Sequence, residues 1–306
     1  MYENMKAENQ IAKKEVETTA KPVETTVKNN EKNNNKKKRN KAIVPMPKKS
    51  GKLYMEKNIG SFKEVINRFY TVTNATTIKE SDMPIKHALN KEFKITGNNK
   101  KPQILIYHTH SMEDFSNTTK DEDTTIIGVG NRLAQILREQ FGYNVIHDKT
   151  KYDIVNGKLD RHEAYTQSKA GVKKQLKKYP SISLILDIHR DGVNDGTRLV
   201  TEINGKKTAQ IMFFNGMSRF KLSGDIDYLK NPYRFENLAL GLQMKVNAEC
   251  YYPGFTRRNY VNAYEYNLSL GKQCMLIEVG AQTNTYQEAK NAAEPLAVLI
   301  KKVLGE

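Results

Sequence analysis

The chain has no tryptophan, only two cysteines among 306 residues, and no run approaching the ~18 consecutive apolar residues of a membrane span. Two cysteines do not make a disulfide-stapled scaffold, and 18 glycines without a triplet repeat exclude a collagen-like fibre. No heptad pattern runs through the chain, so a long coiled coil is excluded too. An N-terminal apolar segment of the signal-peptide kind is also missing. As written, the sequence is expected to be soluble. It is in short supply of apolar residues, at 38%, which implies that part of the chain stays outside any core. Present in excess is positive charge: 50 Lys and Arg face 34 Asp and Glu, a formal net charge of +16. Such a balance asks for an anionic partner, and nucleic acid, anionic lipid and acidic wall polymer all qualify.

The charge is unevenly placed. Residues 1–50 hold 13 Lys and Arg against 6 Asp and Glu, a net of +7, with Tyr2 as their sole aromatic; +9 remains for the other 256 residues. The stretch Asn29 to Lys41 reads NNEKNNNKKKRNK and has nothing to bury. Residues 1–50 therefore read as a disordered basic linker, either an inert tether held open by self-repulsion or a segment that touches an anionic surface. Residues 51–99 read as an N-terminal extension with a helix over Gly60–Thr77, where Phe62, Val65, Ile66 and Phe69 recur at helical spacing. Residues 100–306 read as the main folded domain.

In that domain Gln103–Tyr107, Tyr143–His147, Ser181–Ile188 and Met275–Ile277 are short, apolar and β-branched, as strands buried on both faces are. Helical patterns lie between and beside them at Ile126–Phe141, Arg161–Tyr179, Pro232–Cys250 and Thr285–Leu304. Thr197–Ile203 and Thr208–Phe214, joined by Asn204–Gly205, read as a hairpin. The expected class is α/β: a largely parallel open sheet flanked by helices, with an inserted β-hairpin. Gly128-Val129-Gly130 lacks the rest of a dinucleotide fingerprint and reads as a helix start. Cys274, inside an apolar run, reads as a buried thiol.

Ligands of open α/β sheets sit beyond the carboxyl ends of the strands. Three apolar runs end there in polar clusters: His108-Thr109-His110-Ser111-Met112-Glu113, then Asp187-Ile188-His189-Arg190-Asp191, then Glu278. Two histidines and a carboxylate suit a catalytic zinc ion, which lowers the pKa of a water it holds towards neutrality. His110, Glu113 and His189 are the candidate ligands, Glu278 the candidate base, and Arg190 a candidate for a substrate carboxylate or an oxyanion. His108, Asp187 and Asp191 are candidate supporting groups or alternative ligands. The same residues would also serve in a hydrogen-bonded polar crevice without a metal. His87, His147 and His162 read as structural.

At these clusters the chain resembles a known family. YHTHSMED, LDIHRDG and MLIEVGAQTNTYQEA look like the three motifs of the stage II sporulation protein P family, in consistent order over residues 100–304. The resemblance implies a zinc-dependent peptidoglycan hydrolase related to N-acetylmuramoyl-L-alanine amidases, with endopeptidase activity on stem-peptide cross-links, acting during engulfment. It also implies a partner lytic transglycosylase of the stage II sporulation protein D family. The implied place is the extracytoplasmic face of the mother-cell membrane at the septum, reached through an anchor that this sequence lacks and for which residues 1–50 would be the juxtamembrane linker. Nucleic acid is not an expected partner. Related amidases take their middle ligand near the start of the following helix, so Asp121, Glu122 and Asp123 stand as alternatives to Glu113. Other classes are a metal-dependent nuclease or phosphatase, whose sites gather more carboxylates, and a non-catalytic wall-binding module.

Overall fold

The computed structural model describes residues 44–305, so the expected linker lies outside the described residues except for 44–50. Seven strands build the main sheet: β1 (Tyr70–Val72), β2 (Ile104–Tyr107), β3 (Val145–His147), β6 (Leu184–Asp191), β9 (Ile211–Gly216), β12 (Asn259–Asn262) and β13 (Cys274–Ala281). Two ribbons, β4–β5 (Ile154–Val155 and Lys158–Leu159) and β10–β11 (Arg219–Phe220 and Gly224–Asp225), stand apart from it, as does the hairpin β7–β8 (Val200–Ile203 and Lys206–Ala209). The spatial order is β1-β12-β9-β13-β6-β2-β3, and every neighbouring pair is parallel except β9 with β13. Six α-helices lie among the described residues: α1 (Phe62–Phe69), α2 (Ile85–Asn90), α3 (Ile126–Glu139), α4 (Ala164–Lys178), α5 (Arg234–Tyr251) and α6 (Tyr286–Leu304). The expected fold class is thus the observed one.

Side chains alternate along a strand, so each strand feeds two cores. On one face Ile104, Ile106, Leu186, Ile188, Phe213 and Ile277 pack with Leu133 of α3, Leu238 of α5 and Leu296 of α6. On the other, Leu105, Tyr107, Ile185 and Leu276 meet Val172 of α4. Three helices cover the first face, while the second cluster draws on α4. Asp187, His189 and Glu278 share the alternation of Ile185 and Leu276, so the polar ends of β6 and β13 project from the more thinly covered face.

Several expected boundaries move. The helix drawn over Gly60–Thr77 ends at Phe69: Ser61 and Glu64 start it with a reciprocal cap, and β-branched Thr71 and Val72 then pair with β12. The clusters expected after strands 181–188 and 275–277 lie within longer strands, since β6 continues to Asp191 and β13 to Ala281. The hairpin turn forms as expected, with Asn204 and Gly205 both at positive φ (51° and 74°). Its second arm divides, however: β8 ends at Ala209, and the backbone N–H of Ile211 donates to Phe255, starting β9 in the main sheet. β12 has no counterpart in the expected elements because Asn259-Tyr260-Val261-Asn262 carries only one aliphatic residue. Both cysteines are buried and free. No helix among the described residues is long and apolar enough to cross a membrane.

Candidate metal centre

β2 ends at Tyr107, and the chain then turns across the end of β6. Thr109 anchors this turn: its N–H donates to Asp187 Oδ1 at 2.8 Å and its hydroxyl to Asp187 Oδ2 at 2.6 Å. A second tie joins Met112 N–H to Asp153 Oδ2 at 3.0 Å, with Ser111 on the other oxygen. Held at two points, the turn aims His110 and Glu113 at β6. The N–H of Arg190 donates to Glu113 Oε2 at 2.8 Å, which fixes that carboxylate against the strand.

The three candidate ligands come together. His110 Nδ1 lies 3.4 Å from Glu113 Oε1 and His189 Nδ1 lies 3.8 Å from Glu113 Oε2. One donor atom from each of His110, Glu113 and His189 fits within 4.8 Å of the others, and His110 Nε2 is buried without a partner. Two imidazoles and one carboxylate with an orphaned ring nitrogen fit a zinc ion with an open fourth position. Asp187 Oδ1 stands 2.9 Å from His189 Nε2, off the line of a hydrogen bond but close enough to orient and polarise the ring.

Charge is concentrated to the same end. Burial opposes a charge on His189, yet Asp187 and Glu113 outweigh it and hold the imidazole protonated well above its usual range. Burial would likewise raise Glu113, but hydrogen bonds from His110 and His189 and the charge of His189 keep it well below the usual carboxylate range. Imidazole binds a metal in its neutral form, so an ion that used this ring would displace the proton. Glu278 pairs in register with His189 across β13 and β6. Its Oε2 is buried without a partner, and burial, reinforced by Asp191 and Glu113, lifts its carboxyl well above the usual range.

The remaining candidates sit around this cluster. Arg190 sends its Nε to the Asp114 carbonyl at 3.1 Å. Asp191 pairs with Arg257 at 2.5 Å. His108 is outside the ligand group: its Nδ1 meets the Ile188 carbonyl at 2.7 Å and its Nε2 meets His147 Nε2 at 2.9 Å. Asp121, Glu122 and Asp123 form an exposed turn in which Asp121 caps Asp123 and Glu122 pairs with Lys151; none joins the group. Two residues at the site were not singled out by sequence. Arg161 Nη1 lies 3.5 Å from Glu113 Oε1, with its Nε buried and unpartnered, and the ring of Tyr165 stands edge-on to His110 at 5.5 Å. An Arg and a Tyr near the start of an otherwise ordinary helix carry no spacing signal.

A curated protein of Bacillus subtilis (strain 168), "Stage II sporulation protein P", is 27% identical over 213 residues, 64% of this chain and 50% of that one. The chain therefore spans about half the length of the curated relative it matches. Two solved structures overlap loosely, each at a TM-score of 0.36. One is an N-acetylmuramoyl-L-alanine amidase from Clostridium difficile 630 (14% identity, 66% of this chain and 97% of that one). The other is the apo form of an N-acetylmuramyl-L-alanine amidase from Mycobacterium abscessus (11% identity, 65% and 96%). The family model described as stage II sporulation protein P matches residues 1–301, and the chain belongs to that family.

Proposed function

We propose that the protein is a zinc-dependent peptidoglycan hydrolase of sporulation, an N-acetylmuramoyl-L-alanine amidase with endopeptidase activity on stem-peptide cross-links. The observation that carries this reading is the convergence of His110, Glu113 and His189 beside the orphaned carboxyl of Glu278. His110, Glu113 and His189 would hold the ion, which when bound supplies Lewis-acid chemistry at an amide. Asp187 orients His189 from behind. Glu278 takes the proton of the attacking water and returns it to the departing amine. Arg190 and Arg161 are the cationic groups for a substrate carboxylate or the developing oxyanion. Family membership supports a role in sporulation; the proposed place is the septum, on the extracytoplasmic face of the mother-cell membrane, with a lytic transglycosylase of the stage II sporulation protein D family as the proposed partner.

The test is release of soluble fragments from purified sacculi. Chelation should abolish release and added zinc restore it, and Glu278→Gln should lower it by roughly 10²–10⁴-fold while the protein still binds zinc. Release that survives both chelator and Glu278→Gln overturns the reading. Mass spectrometry of the fragments assigns the bonds cut.

A further inference from the structure

Charge in the folded region is sorted by the two ends of the sheet. β2, β3, β6 and β13 run parallel and begin at one end. Five segments meet there: 91–103 before β2, 138–144 at the end of α3, 173–183 at the end of α4, 271–273 before β13, and 301–305 at the end of α6. Hydrogen bonds stitch them together. Gln273 Nε2 donates to the Ser183 carbonyl at 2.6 Å and to the Lys94 carbonyl at 3.1 Å. The Gln103 N–H donates to the Asn144 carbonyl at 2.8 Å, and the Ile95 N–H to the Leu304 carbonyl at 2.9 Å. Together the segments hold 12 Lys and Arg against Glu92 and Glu139, a net of +10, more than the +9 of residues 51–306 as a whole. Among the described residues only Lys94 of the twelve has an ion pair, with Glu92. The end that carries the candidate metal centre is the reverse: residues 108–125 hold five acids against Lys120.

Two exposed apolar side chains belong to the basic end. β9 runs antiparallel to β13, so it finishes where β13 begins, and the ribbon β10–β11 follows it. Arg219 pairs with Asp82 at 2.5 Å and with Asp225 at 2.6 Å, which braces the ribbon. Leu222 at its tip is 98% exposed and Tyr228 just beyond it 78% exposed, the highest values of any large hydrophobic among the described residues. Residues before Val44 join the fold at this end as well. The Val44 N–H donates to Gln140 Oε1 and Gln140 Nε2 to the Val44 carbonyl, both at 2.7 Å, so the stretch ending KKKRNK is attached beside these lysines. Lysines spread across four neighbouring strands cover a broad face rather than a groove. A leucine in full contact with water beside uncompensated lysines fits a partner with an anionic layer over an apolar one. A soluble polyanion would meet the lysines and leave the leucine in water.

We propose that this end of the sheet docks on the surface of an anionic lipid bilayer, with the lysines on the headgroups and Leu222 and Tyr228 in the interface. The inference is independent of the hydrolase reading. Its consequence is orientation. β6 is eight residues long, roughly 25 Å at ~3.3 Å per residue, and joins the basic end to His189 near its other end. Docking therefore holds the candidate metal centre off the membrane and facing away from it.

The test uses the full chain, which has no tryptophan, so that Leu222→Trp adds a single one at the ribbon tip. The native chain should sediment with vesicles of phosphatidylglycerol and phosphatidylcholine in equal parts, and not with phosphatidylcholine alone. Lys174→Gln, Lys177→Gln and Lys178→Gln combined should weaken that binding about tenfold or more. Lys149→Gln, Lys151→Gln and Lys158→Gln combined remove the same charge from the opposite end and should leave it within about twofold. The emission of Leu222→Trp should move to shorter wavelength on the anionic vesicles. Equal weakening by the two triple variants, no weakening by the first, or emission that stays fixed on vesicles overturns the proposal. Binding to soluble polyphosphate as tight as to vesicles, with no such emission shift, assigns the face to a polyanion instead. Thermal unfolding followed by circular dichroism identifies a misfolded variant, and if the first triple variant is one, the Leu222→Trp emission decides.

Discussion

Two histidines away from the ligand group illustrate how closely single residues are constrained. His108 and His147 face each other through their Nε2 atoms at 2.9 Å, and Gly130 of α3 lies against both. A Cβ at Gly130 would stand 2.6 Å from His147 Nε2 and 2.7 Å from His108 Nε2. Gly130→Ala should therefore destabilise the fold by about 1–3 kcal/mol, despite the better helix propensity of alanine, as read from urea unfolding. The same pair makes stability depend on pH. Burial, His108, Lys149 and Arg138 lower the pKa of His147 to about 2, and burial lowers that of His108 to about 4. In the unfolded chain both take up protons near 6.5, so below that pH the unfolded state binds more protons and stability falls as pH falls. His189 and Glu278, both raised, act in the opposite direction, so the pair is read by difference: between about pH 7 and about pH 5 the melting temperature of the native chain should fall relative to that of His147→Gln. A difference between the two that does not change over this range would contradict the neutral buried pair. His147 was legible as structural, but its partner was not, since 39 residues separate the two rings.

At the scale of elements, α6 depends on its first turn. Thr285 Oγ1 accepts from the Glu288 N–H at 3.3 Å, and Glu288 Oε2 accepts from the Thr285 N–H at 3.0 Å. The Glu288 carboxylate also takes the Asn284 amide at 3.0 Å and Arg198 at 2.6 Å, so it joins the helix to the segment leading into β7. Thr285→Ala should cost about 1 kcal/mol as a lost cap. Glu288→Ala should cost more, roughly 2–3 kcal/mol, because it removes an acceptor of the buried Asn284 amide and of Arg198 as well as its half of the cap. Equal effects in denaturant titrations would show that Glu288 acts only within the cap. Here the sequence was readable: Thr285 and Glu288 stand three apart before an apolar run. The end of α1 was less so, because Phe69-Tyr70-Thr71-Val72 continues a plausible apolar face, and pairing with β12 takes those residues into the sheet.

For the whole molecule, the ligand group joins a turn after β2 to β6, so metal and fold should be coupled. A ligand that binds only the folded state at a thousand times its Kd adds about 4 kcal/mol of stability, which for a unit of this size raises Tm by on the order of 10 °C. Zinc should raise the melting temperature of the native chain and fail to do so in His189→Ala; an equal rise in both would place the metal elsewhere. Sequence alone determined the α/β class, the apolar runs that became β2, β6 and β13, and the three clusters at their ends. These are local: strand alternation and apolar periodicity are set within a few residues. Only the tertiary structure decided that Glu113 rather than Asp121–Asp123 meets the two histidines. That choice depends on Thr109 bonding Asp187 and Arg190 N–H bonding Glu113, contacts between residues nearly eighty positions apart. It also decided that Arg161 lies against Glu113, and that β12, unremarkable in sequence, enters the sheet between β1 and β9. Such neighbours are set by the order of strands in the sheet, which local patterning does not encode.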